Sequence, residues 1–389
     1  MIGEVRIENY KSIQKLKLEL GRVTVLIGEN GCGKSNILEA IALASAAADD
    51  KLDNEFLASR GIRVTEPQFM RSAFEMENLV KDIKIELRGN EGQPFSCILQ
   101  NDNSPYSQWV SKNFLGDSET SIKNAINIVI QKYGGAEKIR AILLDQTESS
   151  EQEFSKILKD SQSFIRIINL NEFIIFSPEN QALRTFEKEG QIQPLGINGE
   201  GLFKLLKFLT SDDNQEQVNE IKKKLQLIDW FQDFEATLNL SHLHNFLQIK
   251  DRYLSPDLTY FDQRSSNEGF LFLLFYFTLF ISALTPKFFA IDNIDASLNP
   301  RLCRRLMQEL VDLAKKHDKQ VIFTTHNPAV LDGLDLDDDE QRLFVIYRNQ
   351  LGHTKARRIL KPEPLEGQEP VKLSEAFLRG YIGGLPKNF

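Results

Sequence analysis

Cysteine and histidine are scarce in this sequence. Among its 389 residues there are five histidines and three cysteines, and Cys32, Cys97 and Cys303 lie far apart without a CxxC pair. The small number and wide spacing of these residues indicate neither a disulfide framework nor a zinc site. We therefore expect a protein of a reducing compartment, located in the cytoplasm.

A membrane span and a surplus of positive charge are also missing. The apolar segment at residues 270–284 covers 15 positions and is interrupted only by Thr278 and Ser282, whereas a helix needs about 20 residues to cross a bilayer. We expect a helix that is buried on all sides and closed by Pro286. The N-terminus has no signal-peptide pattern, and the net charge of -8 argues against a protein that coats nucleic acid by charge alone.

A glycine-rich segment carries the strongest signal. Residues 28–35, Gly-Glu-Asn-Gly-Cys-Gly-Lys-Ser, match the P-loop pattern GxxxxGK[ST]. They follow a β-branched run at residues 23–27, which predicts a strand, and precede a helical pattern that starts at Asn36. A loop in this context points successive backbone N–H groups at the phosphates of a nucleoside triphosphate.

The residue types in this loop predict separate roles. Gly28 and Gly33 supply open backbone, Lys34 reaches the β- and γ-phosphates, and the Ser35 hydroxyl takes one position on Mg²⁺. The residues that we expect to bind the nucleotide here are Asn30, Gly31, Gly33, Lys34, Ser35 and Asn36.

The remaining patterns predict an α/β fold. Alternating apolar and polar residues indicate an antiparallel sheet beside a parallel one, with strands at residues 5–13, 16–20, 83–87 and 95–99. Residues 111–160 and 201–234 have a mainly helical pattern. Near the C-terminus the order is strand, helix, strand, strand, at residues 287–291, 300–317, 321–325 and 343–347.

Three C-terminal segments complete a P-loop site. The apolar strand that ends at residue 291 runs into Asp292, where a carboxylate can hold the water shell of Mg²⁺ opposite Ser35. Asp295 opens the segment Asp-Ala-Ser-Leu-Asn-Pro, and a later strand ends in Thr-Thr-His-Asn, with His326 as its third residue. In isolation, His326 is equally compatible with a core histidine.

In this order the motifs resemble those of ATP-binding-cassette and SMC-like ATPases, especially stand-alone bacterial ATPases with a cassette-type head and no transmembrane part. The resemblance rests on Asn9-Tyr-Lys-Ser, the P-loop, Ser266-x-x-Gly269 before the apolar helix, the segment that starts at Asp295, and the Thr-Thr-His-Asn switch. It implies a cassette-type head with a mixed, mainly parallel core sheet, an antiparallel N-terminal sheet and an inserted helical lobe.

The same resemblance implies a division of the chain. Residues 1–105 form the first part of the nucleotide-binding lobe, and residues 106–262 form the mostly helical insertion. Residues 263–389 return to the nucleotide-binding lobe with the signature helix, the Walker B strand and the switch histidine.

The resemblance further implies ATP, Mg²⁺ and a homodimer. In the family two heads hold two ATP molecules between them, so Ser266 and Gly269 are expected to contact a nucleotide that is bound by the partner copy. Asp295 and His326 are expected near the reacting phosphate. Lys11 and Ser12 resemble an N-terminal loop that approaches the phosphates, although a plain surface turn is an alternative.

One residue departs from the family pattern. After the Walker B aspartate the family carries Glu, which orients or deprotonates the attacking water, whereas this chain has Asn293. An amide can position water but cannot accept its proton. We therefore expect slow hydrolysis and a long-lived ATP-bound dimer, unless Asp295 or Glu268 of the partner copy substitutes.

Two functions fit these residues. The first is an ATP-gated assembly module that controls a separate effector, such as a nuclease or toxin, in bacterial anti-phage defence. The alternative is a DNA-repair or chromosome-maintenance ATPase that clamps DNA.

A transporter subunit is disfavoured because the helical insertion replaces the contact region for membrane helices. DNA clamping requires a basic strip, for which the candidates are Lys222, Lys223, Lys224, Arg301, Arg304 and Arg305, each also explicable as a solvated helix face.

Overall fold

A computed structural model describes most of the nucleotide-binding part of the chain and portions of the insertion. The described residues are 1–89, 94–104, 107–115, 170–185, 194–210, 214–239, 244–255, 257–258, 260–361 and 371–385.

Strands and helices alternate along much of this described chain. The strands are β1 (Ile2–Tyr10), β2 (Ile13–Glu19), β3 (Val23–Ile27), β4 (Ile83–Gly89), β5 (Phe95–Gln100), β6 (Val110–Leu115), β7 (Ile175–Phe176), β8 (Phe231–Asn239), β9 (His244–Asp251), β10 (Phe261–Asp262), β11 (Phe288–Ile291), β12 (Gln320–Thr325), β13 (Gln341–Arg348) and β14 (Thr354–Ile359). The α-helices are α1 (Lys34–Ala48), α2 (Asn54–Ser59), α3 (Pro67–Met70), α4 (Asn180–Thr185), α5 (Leu202–Leu209), α6 (Gln215–Leu225), α7 (Glu268–Ile281), α8 (Pro300–Lys316) and α9 (Leu373–Leu378).

The central sheet has the order β14-β13-β3-β12-β11-β7. All neighbouring pairs are parallel except β13 with β14. Every residue of β3, β11 and β12 is buried, as expected for parallel strands that are covered on both faces. The sheet therefore places the carboxyl ends of β3, β11 and β12 side by side.

An antiparallel sheet of order β2-β1-β4-β5-β6 stands beside the central sheet. This arrangement confirms the predicted α/β fold with an antiparallel sheet next to a mainly parallel one. A third, three-stranded sheet of order β10-β9-β8 lies in the segment that the sequence assigned to the insertion.

The central sheet separates two hydrophobic cores. Val25 and Phe323 contribute to one core together with α7 and α8, whereas Leu26 and Ile322 contribute to the other together with α1. This division follows from the alternation of side chains along a strand. Helix α7 is buried at every position from Phe270 to Ile281, as its composition predicted. No helix within the described ranges is long and apolar enough to cross a membrane.

Two helical predictions were wrong in part. Residues 110–115 form β6, which pairs with β5 through Gln100 and Val110, because an available sheet edge outweighs local propensity. Residues 116–160 lie outside the described residues. In the second stretch α5 and α6 are helical, but residues 231–234 begin strand β8.

The helical appearance of residues 231–234 has a local cause. The register of β8 against β9 shifts between Phe231 and Asp233, so Phe231 and Phe234 are both buried although they are three residues apart. A bulge therefore imitates helical spacing inside a strand. The predicted boundaries of the inserted lobe stay a prediction, and β7, which falls inside them, belongs to the central sheet.

A lysine is buried beneath the end of α7. The Lys319 side chain lies 2.9 Å from the carbonyl oxygens of both Ser282 and Thr285 and 3.2 Å from that of Pro286, and its Nζ donates to each of them. Burial lowers the pKa of Lys319 to about 7. The lysine satisfies carbonyl groups of the turn that links α7 to β11, and thereby fixes the entry of β11 into the sheet.

We expect Lys319→Met to lower the free energy of unfolding by about 2 kcal/mol, because buried carbonyl groups lose their donor. Lys316→Met is the matched control, since Lys316 makes a surface ion pair with Glu220, which is worth roughly 0.5 kcal/mol. Urea denaturation of the two variants measures the difference. Equal losses would contradict the role given to Lys319.

The same lysine predicts a pH dependence. The pKa of Lys319 is lower in the folded protein than in the unfolded chain. At pH values between these two pKa values, the unfolded chain therefore binds one proton more than the folded protein. The free energy of unfolding of the wild type should therefore rise with pH from about pH 7 to pH 10, and less so in Lys319→Met. Parallel pH curves for the two proteins would show that Lys319 does not titrate in this window.

Candidate functional site

The P-loop has the strand, loop and helix context that the sequence predicted. Strand β3 ends at Ile27 and α1 begins at Lys34. Gly31 and Gly33 have φ angles of 72° and 107°, which side chains disfavour. The loop can therefore turn its backbone N–H groups toward an anion at the start of α1.

Strands β13 and β14 form a wall behind this loop. A Cβ atom on Gly28 would lie 2.1 Å from the carbonyl oxygen of Ile346. The Thr354 hydroxyl donates to the Cys32 carbonyl at 2.8 Å, and Arg348 Nε donates to the Gly31 carbonyl at 2.8 Å. The loop is therefore held in shape by a part of the chain that is remote in sequence.

Lys34 is 6% exposed and is held inside the loop. Its Nζ donates to the carbonyl oxygens of Gly28 and Glu29 at 2.9 and 3.1 Å. Burial lowers the pKa of Lys34, and the nearby Cys32 and Asp292 oppose that shift. A phosphate oxygen would replace neutral carbonyl acceptors with a charged one, and such hydrogen bonds are stronger.

Asp292 joins the P-loop to the two neighbouring strands. One carboxylate oxygen accepts from the Ser35 hydroxyl at 3.0 Å, and the other accepts from the Thr324 hydroxyl. The same Thr324 oxygen accepts the backbone N–H of Asn293 at 2.9 Å. The structure therefore brings Ser35 and Asp292, the two predicted metal ligands, into direct contact.

The hydroxyl and carboxylate at this contact fit Mg²⁺. Both groups offer hard oxygen atoms, and Mg²⁺ binds through few protein ligands while it keeps several waters. Within the described residues there is no cluster of three or more His, Cys, Asp or Glu side chains that could hold a metal ion. Ser35 and Asp292 would thus share the ion with water and phosphate oxygens.

The predicted catalytic residues lie next to Asp292. Asp295 accepts from the Thr325 hydroxyl at 2.6 Å. His326 is exposed, so it is not a core histidine. Burial of part of the ring and then the Lys34 ammonium lower the pKa of His326, which leaves it neutral at pH 7. Asn293 is exposed and adopts a φ of 56°, a conformation in which Asn is enriched.

Lys11 and Ser12 also reach the start of α1. The Ser12 hydroxyl accepts from Asn36 Nδ2 at 2.7 Å and lies 2.7 Å from the Thr354 hydroxyl. Lys11 Nζ contacts the carboxylate of Glu39 and donates to the Arg63 carbonyl at 2.9 Å. Both residues form the turn between β1 and β2, and this turn packs against α1.

The signature residues Ser266 and Gly269 lie at the start of α7. Asn267 caps α7, since its side chain accepts from the backbone N–H of Phe270 at 2.8 Å. A Cβ atom on Gly269 would meet Leu298 and the Ser297 carbonyl at 3.5 Å. None of the hydrogen bonds described for residues 260–361 links Ser266 to the loop at residues 28–35.

Sequence reasoning missed several residues of the site, namely Glu39, Arg63, Arg348 and Thr354. Glu39 is 1% exposed and accepts from Tyr10, Lys11 and Arg63. The sequence feature that could have identified Glu39 is a carboxylate inside an otherwise apolar helix, because a buried carboxylate requires buried partners. Arg63, Arg348 and Thr354 had no signal of their own, because their roles depend on contacts between distant parts of the chain.

Comparison with known proteins gives one family match and several relatives. The family model described as "AAA domain, putative AbiEii toxin, Type IV TA system" matches residues 23–332. Septu protein PtuA of Bacillus mycoides (strain KBAB4) is 25% identical over 346 residues, which are 86% of this chain and 39% of that protein. DNA replication and repair protein RecF of Bacillus thuringiensis (strain Al Hakam) is 38% identical over 55 residues, which are 14% of this chain and 15% of RecF. The chain spans well under half the length of these relatives.

Solved structures of SMC heads share the fold. The SmcHead bound to the C-winged helix domain of ScpA matches with a TM-score of 0.55 and 13% identity over 92% of this chain and 98% of that chain. A second Smc head, with an extended coiled coil and bound to the C-terminal domain of ScpA derived from Pyrococcus furiosus, matches with a TM-score of 0.51 and 13% identity over 92% and 96% of the two chains. The chain therefore has an SMC head-like mixed α/β fold.

Two loop glycines allow a matched test of this geometry. Gly31→Ala places its Cβ in open space and meets only the cost of a positive φ, about 1 kcal/mol. Gly33→Ala adds a Cβ 2.2 Å from the Thr354 hydroxyl, so it should lower the free energy of unfolding by about 3 kcal/mol. Thermal denaturation of the two variants checks the order. A larger loss for Gly31→Ala would contradict the described loop.

Proposed function

Because the chain belongs to the AAA-domain family described as "putative AbiEii toxin, Type IV TA system", we propose that it binds and hydrolyses ATP with Mg²⁺. We further propose that its ATP-bound homodimer gates or scaffolds a separate effector protein in bacterial anti-phage defence. The observation that carries the proposal is the contact of Ser35 with Asp292 beside the buried Lys34. A P-loop lysine, a hydroxyl and a carboxylate at one sheet edge are the groups that bind a nucleoside triphosphate with its metal ion.

A composite site between two copies accounts for the position of the signature segment. Ser266 and Gly269 lie at the start of α7 and Lys34 lies at the start of α1, and the described contacts within one chain do not join them. A second copy would bring its α7 N-terminus to the γ-phosphate, where backbone N–H groups favour negative charge. ATP then binds the two heads together, and loss of the γ-phosphate weakens the dimer.

In this mechanism the residues of the site bind and orient the phosphates and the attacking water. Mg²⁺, when bound, neutralises developing charge on the phosphates. Lys34 orients the β- and γ-phosphates, while the hydrogen bond from Thr325 orients Asp295. The neutral His326 can accept or donate one hydrogen bond near the γ-phosphate. Asn293 positions water but does not remove its proton, so hydrolysis is slow.

The effector is proposed on the basis of one similarity. Septu protein PtuA aligns with 86% of this chain, which favours a defence function. Residues 1–89 and 260–361 form the nucleotide-binding fold, and we propose that a separate protein supplies the destructive activity.

DNA clamping is the second candidate, supported by the local match to RecF. Three of the six residues of its basic strip form ion pairs, while none is described for Lys223, Arg301 and Arg304. Lys222 pairs with Asp233 at 2.7 Å, and Glu309 pairs with both Lys224 and Arg305. Salt-sensitive DNA binding by the ATP-bound protein would favour this second function.

Gly269→Asp tests the composite site. The position accepts a Cβ at ordinary contact distance, 3.5 Å from Leu298, so the variant should fold, while its carboxylate would repel a partner's γ-phosphate. We expect ATP-dependent dimerisation to weaken at least about tenfold, equivalent to roughly 1.4 kcal/mol. Gly269→Ala is the control that keeps the charge unchanged. Mass measurement with and without ATP and Mg²⁺ reports the dimer, and full dimerisation of Gly269→Asp would exclude the sandwich.

Asn293→Glu tests the proposed cause of slow hydrolysis. A carboxylate at this position can accept the proton of water, and general base catalysis contributes roughly 100-fold or more. We expect steady-state ATP turnover to rise at least about tenfold. Asn293→Asp is the companion variant because Asp, like Asn, tolerates the positive φ. A wild-type turnover of many ATP per second, or no increase in either variant, would contradict the prediction.

A further inference from the structure

Two adjacent glycines follow α9 in the C-terminal segment, residues 371–385. Gly383 and Gly384 have φ angles of 69° and 88°, which residues with a side chain rarely adopt. Neither of them ends the helix. Gly380 does so, because its φ is 75° and its N–H donates to the Phe377 carbonyl at 2.9 Å, as in a glycine C-cap. The pair Gly383–Gly384, called the diglycine turn below, therefore needs another explanation.

The diglycine turn packs directly on the P-loop. A Cβ atom on Gly384 would lie 3.7 Å from the Gly28 Cα atom, 3.1 Å from Phe377 Cε2 and 2.8 Å from Val345 Cγ1. Position 384 therefore has room for the hydrogen of a glycine, whereas a methyl group would force a neighbour to shift. A glycine at this position lets the backbone approach the loop closely.

Gly28 connects this contact to the lysine that is proposed to bind phosphate. Its carbonyl accepts from Lys34 Nζ at 2.9 Å, and a Cβ on Gly28 would lie 2.1 Å from the Ile346 carbonyl oxygen. Gly28 is thus held between β13 and the diglycine turn. A cavity of about 300 Å³ adjoins the turn and is lined by Glu29, so the loop has room to shift when the turn is displaced.

Two side-chain contacts fix the C-terminal segment. At the turn, Arg357 Nη2 on β14 donates to the Ile382 carbonyl. At the start of α9, the Asp332 carboxylate accepts from the backbone N–H and the hydroxyl of Ser374 at 2.9 and 2.7 Å. Asp332 belongs to the 3₁₀-helix Pro328–Gly333, so the segment is attached at two separate points.

That 3₁₀-helix links the segment to the switch. It begins two residues after His326, and its residue Val330 belongs to the same hydrophobic core as Phe377 and Ile382. The C-terminal segment therefore contacts the P-loop through the diglycine turn and the element after the switch through α9.

We infer that the C-terminal segment is a clamp that positions the P-loop relative to the switch, with Gly384 as a positioning residue for nucleotide binding. The inference rests on the proposed nucleotide binding at Lys34. The clamp acts on the nucleotide through one residue, since it holds Gly28 against β13 and the Gly28 carbonyl in turn orients Lys34.

Gly384→Ala and Gly380→Ala form a matched pair, since both glycines have a positive φ and follow α9. A Cβ on Gly380 would lie 3.7 Å from Leu385, an ordinary contact. In calorimetric titrations with ATP and Mg²⁺, Gly384→Ala should weaken binding about tenfold, the loss of one hydrogen bond to a charged group. Gly380→Ala should stay within about twofold of wild type, as expected for a site without a shared contact.

A second substitution tests whether the steric contact is the cause. Val345→Ala removes the Cγ1 atom that the new methyl group would strike, so the double variant Gly384→Ala, Val345→Ala should bind ATP within about threefold of Val345→Ala alone. A change that only destabilised the fold would leave the affinity of the folded protein unchanged. A double variant that binds as weakly as Gly384→Ala would overturn this contact as the cause.

Arg357→Ala tests the clamp from the protein surface, because Arg357 is exposed and donates to the Ile382 carbonyl. It should weaken ATP binding about threefold, the effect of one lost hydrogen bond, and it decides alone if Gly384→Ala does not fold. Wild-type affinity in both variants would overturn the clamp, and so would equal losses in Gly384→Ala and Gly380→Ala.

Lys34→Ala distinguishes the clamp from the function beneath it. This variant should weaken ATP binding whether or not the clamp positions the loop. If the wild type does not bind ATP, or if Lys34→Ala binds it equally well, the proposed nucleotide binding itself fails.

Discussion

The carboxylate of Asp292 holds three neighbouring strands in one functional arrangement. It accepts from Ser35, which follows β3, and from Thr324, which lies near the end of β12. The register makes this possible, because Ile291 pairs with Phe323 and Thr325 pairs with Ile27. A shift of one residue in β12 would turn Thr324 to the opposite face of the sheet. The register of the buried core and the geometry of the site therefore depend on each other.

The motif residues could be predicted because short-range chemistry sets their positions. A strand followed by a glycine-rich turn and a helix fixes Lys34 and Ser35, and an apolar strand that ends in an acid fixes Asp292. Long-range contacts were not accessible in this way. Thr354 and Arg348 support the loop from more than 300 residues away in sequence, and no periodicity marks them. The hairpin of β8 and β9 was missed because a bulge gave Phe231 and Phe234 helical spacing.

The cations of the site are held by acceptors from the same chain. Lys34 is already enclosed by carbonyl oxygens, and Lys11 and Arg63 are already bound to Glu39. Fixing these long side chains costs conformational entropy, and here that cost is met during folding.

The wall of β13 and β14 behind the P-loop has a consequence for biosynthesis. Gly28 packs on Ile346, and Cys32 is held by Thr354. Segments made early on the ribosome generally begin to fold before later ones exist, yet this loop receives its support from residues that are translated far later. The nascent chain would carry an unformed phosphate cradle until those strands emerge, so competence to take up nucleotide requires that synthesis has passed Thr354.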